Sequence, residues 1–204
     1  QSTVEAMLDG VWAPSEEHLS SCHEEILRLT KLVDELGTLA RYESDTLALN
    51  CVLFDLRQLA AQTAQNCESG AQKKDVLLTV LGEKTTVFAD RNKIGQIIMN
   101  LLHNALKFTP EGGSISLEVK TEGNQAILSV RDTGCGIAAE DLPFIFERFY
   151  RADPSRNRDT GGSGIGLAIA QAIAKAHGGE ISVKSAVGEG STFTLALPNH
   201  QHPV

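Results

Sequence analysis

The chain has 204 residues, 42% of them hydrophobic and 22% charged, which is the balance of an ordinary globular protein with one full core and a smaller element besides. A formal net charge of −8 opposes nucleic acid or an anionic membrane surface as its main partner. At this length roughly 70% of the unfolded surface is buried on folding, so the core needs no covalent staples.

Residues 1–9 (QSTVEAMLD) are helix-compatible and stop at Gly10, a residue common just past a helix end. Residues 11–14 read as a short turn. Ser15 suits an N-cap, and Glu16 and Glu17 follow in the first turn, where the helix dipole favours negative charge. Apolar residues then recur at Leu19, Cys22, Ile26, Leu29, Val33, Leu36 and Ala40, in alternating steps of three and four that make a heptad seam. Leu32 and Leu39 widen the stripe, which suits a helix packing into a bundle. The plainer alternative is one amphipathic helix covering its own domain; the length of the seam favours the bundle.

After residues 42–45 (YESD) the character changes. Residues 47–53 are strand-like, and Asp55 can cap a helix running to about Cys67, before Ser69-Gly70. Residues 75–81 and 85–88 are short β-rich runs. Asp90 caps a long helix over about 91–108, ended by Thr109-Pro110 and Gly112-Gly113. Alternating segments 114–120 and 126–131 flank Glu122-Gly123-Asn124 and predict a hairpin. A long stretch with glycine and arginine, 132–163, leads to a helix from 164 to about 176, ending at His177-Gly178-Gly179. Two last strands, 180–185 and 191–197, are joined by Gly188-Glu189-Gly190. Strands and helices mix without strict βαβ alternation, which predicts an α/β sandwich with a mixed sheet packed on helices. The expected division is a helical region over 1–45, an α/β domain over 46–198 and a polar tail over 199–204.

Four cysteines (Cys22, Cys51, Cys67, Cys135) form no C-x-x-C pair and no His/Cys cluster, so neither a disulfide framework nor a zinc site is expected. No apolar run approaches the ~20 residues that a bilayer span requires, and no signal-peptide pattern opens the chain. The chemistry gathers elsewhere. On the helix after Asp90, Ile94, Ile97, Ile98, Leu101, Ala105 and Phe108 share one face, while Asn100, Asn104 and Lys107 form a second stripe at i, i+4 and i+7. Two carboxamides one turn apart and a lysine offer oxygen ligands and a point positive charge, a surface that fits Mg2+ shared with phosphates; by themselves two asparagines on a helix are more often just solvated side chains. Residues 132–137 (DTGCGI) end a predicted strand, and residues 161–167 (GGSGIGL) open a helix. A glycine-rich lead into a helix N-terminus presents free N–H groups to phosphate. Neither loop matches the Walker lysine pattern, and no strand-G-x-G-x-x-G unit is present. The site is of another kind.

Residues 100–109 (NLLHNALKFT) resemble the N-box of sensor histidine kinases, 132–137 their G1 box, 144–151 (FIFERFYR) their F-box and 162–167 (GSGIGL) their G2 box. Gly178-Gly179 through residues 188–193 (GEGSTF) resemble the closing glycine strand pair. The likeness is close over 90–198 and looser over 1–60, where Arg28-Leu29 to Arg41-Tyr42-Glu43 is similar to the second helix of the dimerisation and phosphotransfer hairpin.

The resemblance implies a Bergerat-type (GHKL) ATP-binding fold behind a partial helical hairpin that forms a four-helix bundle in a homodimer. It implies ATP or ADP and Mg2+ as cofactors and a response-regulator receiver domain as partner, with no nucleic acid and no direct membrane contact by this segment. Asn104 would ligate Mg2+, with Asn100, Lys107 and Arg151 serving the phosphate end and the transfer. Asp132 would accept a hydrogen bond from the adenine amino group; a carboxylate accepts but cannot donate, so it meets a 6-oxo base with repulsion. Gly134 and Gly136 would let the backbone approach the base and Ile137 would wall the pocket. Tyr150 to Gly161 would form a mobile lid carrying Arg151 to the terminal phosphate. Gly162, Ser163, Gly164, Ile165, Gly166 and Leu167 would line the phosphates, and Ser191 would lie near the adenine through water. Phe108 stands where the family often has Tyr. Relatives that hydrolyse ATP carry a glutamate where Asn100 stands; asparagine is no general base, which favours transfer to a protein side chain over hydrolysis. Serine kinases of the anti-sigma-factor type share the catalytic fold but lack the hairpin, so the seam over Leu19 to Ala40 separates them; a non-catalytic nucleotide-sensing module is opposed by the intact Asn104, Asp132 and glycines.

The family's acceptor sits in His-Glu-x-x-x-Pro. Of six histidines (His18, His23, His103, His177, His200, His202) only His23-Glu24 begins that pattern, and it lacks the proline. The acceptor histidine is therefore expected just upstream of residues 1–9, and the parent protein is expected to be a membrane-anchored sensor whose cytoplasmic portion includes this chain.

Overall fold

The computed structural model describes residues 3–11, 13, 15–43, 49–151 and 164–199. The expected domain boundary near residue 46 and residues 200–204 of the tail lie outside them, as do Gly162 and Ser163.

Helix α1 (Thr3–Leu8) ends at Gly10, which takes φ +69. Helix α2 (Glu16–Glu43) begins as its sequence directs: the Ser15 hydroxyl accepts the His18 N–H at 3.2 Å, satisfying one orphan donor of the first turn. Along its seam Leu19, Ile26 and Val33 are 57%, 60% and 67% exposed.

Strand β1 (Cys51–Asp55) starts later than the apolar run suggests, because its partner β3 (Thr86–Asp90) pairs with it from Cys51↔Asp90 to Asp55↔Thr86. Asp55 then turns the chain into α3 (Leu56–Gln65), its Oδ1 accepting the Arg57 N–H at 3.0 Å. Ser69-Gly70, expected as a break, lie inside a short helix α4 (Glu68–Lys73). Cys67 and Ala71, one turn apart and buried, dock this turn on the core, and that packing outweighs the poor helix propensity of glycine.

The main sheet runs β2 (Leu77–Gly82), β4 (Ser114–Glu122), β5 (Gln125–Asp132), β7 (Gly190–Pro198), β6 (Glu180–Ala186). β2 and β4 are parallel; every other pair in it is antiparallel. The period-2 alternation of β4 sends Ile115, Leu117 and Val119 to one face, where they are fully buried. Helices α5 (Arg91–Phe108) and α6 (Gly166–Ala176) lie over that face, and α2 lies against α6. Asp90 caps α5 through Asn92 and Lys93 N–H groups, and its Oδ2 also accepts the Asn50 N–H. Ile94, Ile97, Ile98, Leu101 and Leu102 of α5 are wholly buried with Ile173 and Leu195, each side chain removed from water being worth about 1.5–3 kcal/mol. The opposite face is polar, tied for instance by Ser129 Oγ and Thr194 Oγ1 at 3.2 Å. Asn199, assigned to the tail, instead joins the domain by donating its N–H to the Asn124 carbonyl at 2.9 Å. Among the described residues no helix is long and apolar enough to cross a membrane.

Candidate functional site

The helix-facing side of the sheet turns polar at one end. There Asp132 of β5 stands opposite Ser191 of β7, which stands opposite Ser185 of β6. Asp132 is buried, 5% exposed. Its Oδ1 accepts the Gly134 N–H at 2.8 Å and the Ser191 N–H at 3.3 Å; Oδ2 has no partner among the described residues. Burial pushes the carboxyl above its usual range, and the two N–H groups only partly oppose this. A buried acid with one oxygen unmatched is a receptor for an external donor.

The loop after Asp132 is held from both sides. Cys135 N–H donates to the Phe108 carbonyl at 3.4 Å, Gly188 N–H to the Cys135 carbonyl at 2.8 Å, and Ile137 N–H to Ser185 Oγ at 2.9 Å. So close is the packing that a Cβ on Gly134 would stand 2.7 Å from the Phe108 carbonyl oxygen, and one on Gly136 (φ +71) would collide with the Ala186 carbonyl. Cys135 is exposed in this loop. Ile137 packs against the core.

On α5, Asn100 donates Nδ2–H to the Gly166 carbonyl at 2.9 Å and so ties α5 to the start of α6. This leaves its Oδ1 as an oxygen donor. Asn104, one turn on and half-buried, has no side-chain partner among the described residues. Lys107 is held below the usual lysine range by partial burial and then by the positive charge of Arg151. Its ammonium lies 4.9 Å from the centre of the Phe108 ring, and Phe108 itself is exposed. At the start of α6, Ile165 is fully buried while Gly164, Gly166 and Leu167 are half-exposed. The first N–H groups of that helix have no intrahelical acceptors.

Tyr150 donates its hydroxyl to Asp141 Oδ1 at 2.6 Å and tilts against Phe144, ring centres 5.6 Å apart. Phe149 takes φ +62, unusual for a bulky side chain, and donates its N–H to the Gly164 carbonyl at 3.0 Å. Residues 151 and 164 therefore start from one fixed point of the fold.

Of the histidines, His23 is exposed on α2. His177 is structural: Nδ1 donates to the Ile173 carbonyl at 2.8 Å, and Nε2 accepts the Asp90 N–H at 3.1 Å.

Sequence reasoning missed two residues. Lys74 donates to the Leu106 and Lys107 carbonyls at 2.8 and 3.1 Å, capping the last turn of α5 from outside it. No local pattern could have found it. Ser185 is the other; counting back from the Gly188-Glu189-Gly190 turn would have placed it opposite Ser191.

The sequence pattern described as histidine kinase-, DNA gyrase B-, and HSP90-like ATPase matches residues 89–201. Circadian input-output histidine kinase CikA of Synechococcus elongatus is 37% identical over 186 residues, 89% of this chain and 25% of its own length. Sensor histidine kinases YkoH and WalK of Bacillus subtilis, 41% and 33% identical, are likewise spanned over only 39% and 33% of their own length. Among solved structures, Acinetobacter baumannii histidine kinase AdeS gives a TM-score of 0.80 at 28% identity, over 98% of this chain and 92% of that one. Full-length ShkA in complex with AMPPNP gives 0.81 at 27% identity, over 99% and 43%.

Proposed function

The chain belongs to the histidine kinase-, DNA gyrase B- and HSP90-like ATPase family, and from that premise we propose that it is the Mg-ATP-binding core of a sensor histidine kinase. In this reading it passes the γ-phosphate to a histidine of the dimerisation hairpin, from which it moves to a response-regulator aspartate. The observation that carries the reading is the polarity of the site: Asp132 keeps an acceptor unmatched among the described residues at one end, and the half-buried Lys107, within the field of Arg151, stands at the other. Such a site suits a ligand with an amino group at one end and a polyphosphate at the other.

Asp132 Oδ2 would take the adenine amino group, Gly134, Gly136 and Ile137 would hold the base, and Ser191 would meet it through water. Phe108 and Tyr150 would border the nucleotide. Lys107 and Arg151 would meet the terminal phosphate; the N–H groups of Gly164, Ile165, Gly166 and Leu167, with Gly162 and Ser163, would receive the others. The amide of Asn104 and the Oδ1 of Asn100, neither with a partner among the described residues, fit Mg2+, which takes neutral oxygens readily when phosphates complete its shell. When bound, the ion would supply charge neutralisation on the phosphates. Asn100, unable to act as a base, favours transfer over hydrolysis.

Exposed Leu19, Ile26 and Val33 along one seam support a homodimer through the hairpin. The whole protein is proposed as a membrane-anchored sensor with this core on its cytoplasmic side and a receiver domain as partner.

Calorimetry tests the core of this. The chain is expected to bind ATP, more tightly with Mg2+, and Asn104→Ala to abolish most of the magnesium-dependent gain without lowering the melting temperature. Absence of any ATP binding by the folded chain sinks the nucleotide reading. With labelled ATP the chain should barely label itself, because His23 lacks the acceptor motif; strong acid-labile phosphorylation would make His23 the acceptor instead.

A further inference from the structure

The polar row at the end of the sheet carries more than the base contact assigned to Asp132. Ser185, Ser191 and Asp132 come from three neighbouring strands at one level, since Asp132 pairs with Ser191 and Ser191 with Ser185. All three lie on the helix-facing side, each two residues along its strand from Val183, Phe193 or Val130 on that same face.

The donors and acceptors in this row can be counted to a single answer. Ser185 Oγ has one proton and two lone pairs. It lies 2.7 Å from the Gly190 carbonyl oxygen, 2.9 Å from the Ile137 nitrogen and 3.0 Å from Ser191 Oγ. The carbonyl can only accept, so Ser185 gives its proton to Gly190; otherwise two lone pairs would face each other at 2.7 Å. The Ile137 amide can only donate, so it fills one Ser185 lone pair. The remaining lone pair must take the Ser191 hydroxyl proton. Ser191 is buried, 8% exposed, and with its proton so committed it turns only lone pairs to anything else. Asp132, ionised, likewise offers only an acceptor at Oδ2.

We propose that Ser185 is a positioning residue for base selection: acting through Ser191, it fixes that hydroxyl as an acceptor. The floor of the base site then presents acceptors alone, welcoming a 6-amino purine and rejecting a 6-oxo one. This deepens the nucleotide reading above and rests on it. Without Ser185 the Ser191 hydroxyl rotates freely and can donate to the water between it and the base, leaving that water's own protons free for a carbonyl, so discrimination weakens even though Ser185 itself meets no base.

The test compares ATP with inosine triphosphate, its 6-oxo counterpart, by calorimetry on the folded chain and its variants, each checked by thermal melting. Ser185→Ala should lower the ratio of ATP to inosine triphosphate affinity by roughly threefold to tenfold, the scale of one redirected neutral hydrogen bond. Ser185→Thr, which keeps the hydroxyl in a strand-favouring side chain, should restore the ratio. Ser191→Ala should lower it as Ser185→Ala does, and adding Ser185→Ala to Ser191→Ala should lower it no further. A Ser185→Ala chain that loses both affinities equally, with the ratio unchanged, overturns the proposal and leaves Ser185 a purely structural hydroxyl. So does failure of Ser185→Thr to rescue, or additivity of the two alanine changes. If the unaltered chain binds neither nucleotide, the nucleotide reading itself is wrong and this proposal goes with it.

Discussion

Helices α2 and α5 have apolar seams of the same kind, yet their described residues are covered to very different degrees. On α5, Ile94, Ile97, Ile98 and Leu101 are completely enclosed by the sheet and α6; on α2, Leu19, Ile26 and Val33 stay more than half exposed. Periodicity says which face of a helix requires cover, not what supplies it. For α5 the cover is this chain's own sheet and α6; α2 touches α6, but cover for Leu19, Ile26 and Val33 is left to something else, in our reading a second copy.

Substitutions on the two seams should therefore differ widely. Leu101→Ala removes a wholly enclosed side chain and should cost about 2–5 kcal/mol of unfolding free energy in a denaturant titration; a loss below 1 kcal/mol would mean that the α5 seam is not the core. Next in size is the outer end of α5. Lys74→Met strips the Leu106 and Lys107 carbonyls of their charged donor, and a stability loss of about 1.5–3 kcal/mol is expected. An unchanged melting temperature would show that water replaces Lys74 without cost.

Asp132→Asn separates binding from folding within the α5 half. It should weaken ATP binding by about 1–3 kcal/mol, because an amide nitrogen can then face the base amino group. The folded-state pKa of Asp132 is raised, so its ionised form costs the folded chain stability; the cost is full above the folded pKa and is gone once pH has fallen below the unfolded pKa. The variant should accordingly melt no lower than the parent at neutral pH, and any gain should disappear in acid. Unchanged affinity would remove Asp132 from the base contact. Smallest of all is Ile26→Ala, expected within about 0.5 kcal/mol of the parent in dilute monomer. A larger loss that grows with protein concentration would locate the missing cover of α2 in another copy.

What the sequence made legible were features whose cause is local. Asp55 and Asp90 were readable as caps because a carboxylate just before an apolar helix has one obvious use, and both perform it. The β4–β5 hairpin followed from alternation on either side of Gly123-Asn124. Ser69-Gly70 was misread because the force that keeps α4 helical is the docking of Cys67 and Ala71, which no window of sequence contains. In the candidate site, Asp132 and the glycines were visible as motif residues. The bond from Asn100 to Gly166, the reach of Lys74 to α5 and the Ser185–Ser191 contact were not, since each joins elements whose proximity only the fold creates.

The parallel pairing of β2 with β4 bears on how the molecule assembles. β4 and β5 are joined by a two-residue turn and zip together locally, on the order of microseconds for a hairpin. β2 has no such neighbour in sequence: all of β3 and α5 lies between it and β4, so its registry from Leu77↔Ser114 to Gly82↔Val119 demands closure of a long loop before any contact rewards it. β2, one of the two edge strands of the sheet, thus closes the longer loop for its single row of partners. Its amides should exchange with deuterium ahead of those of β5, which is paired on both sides.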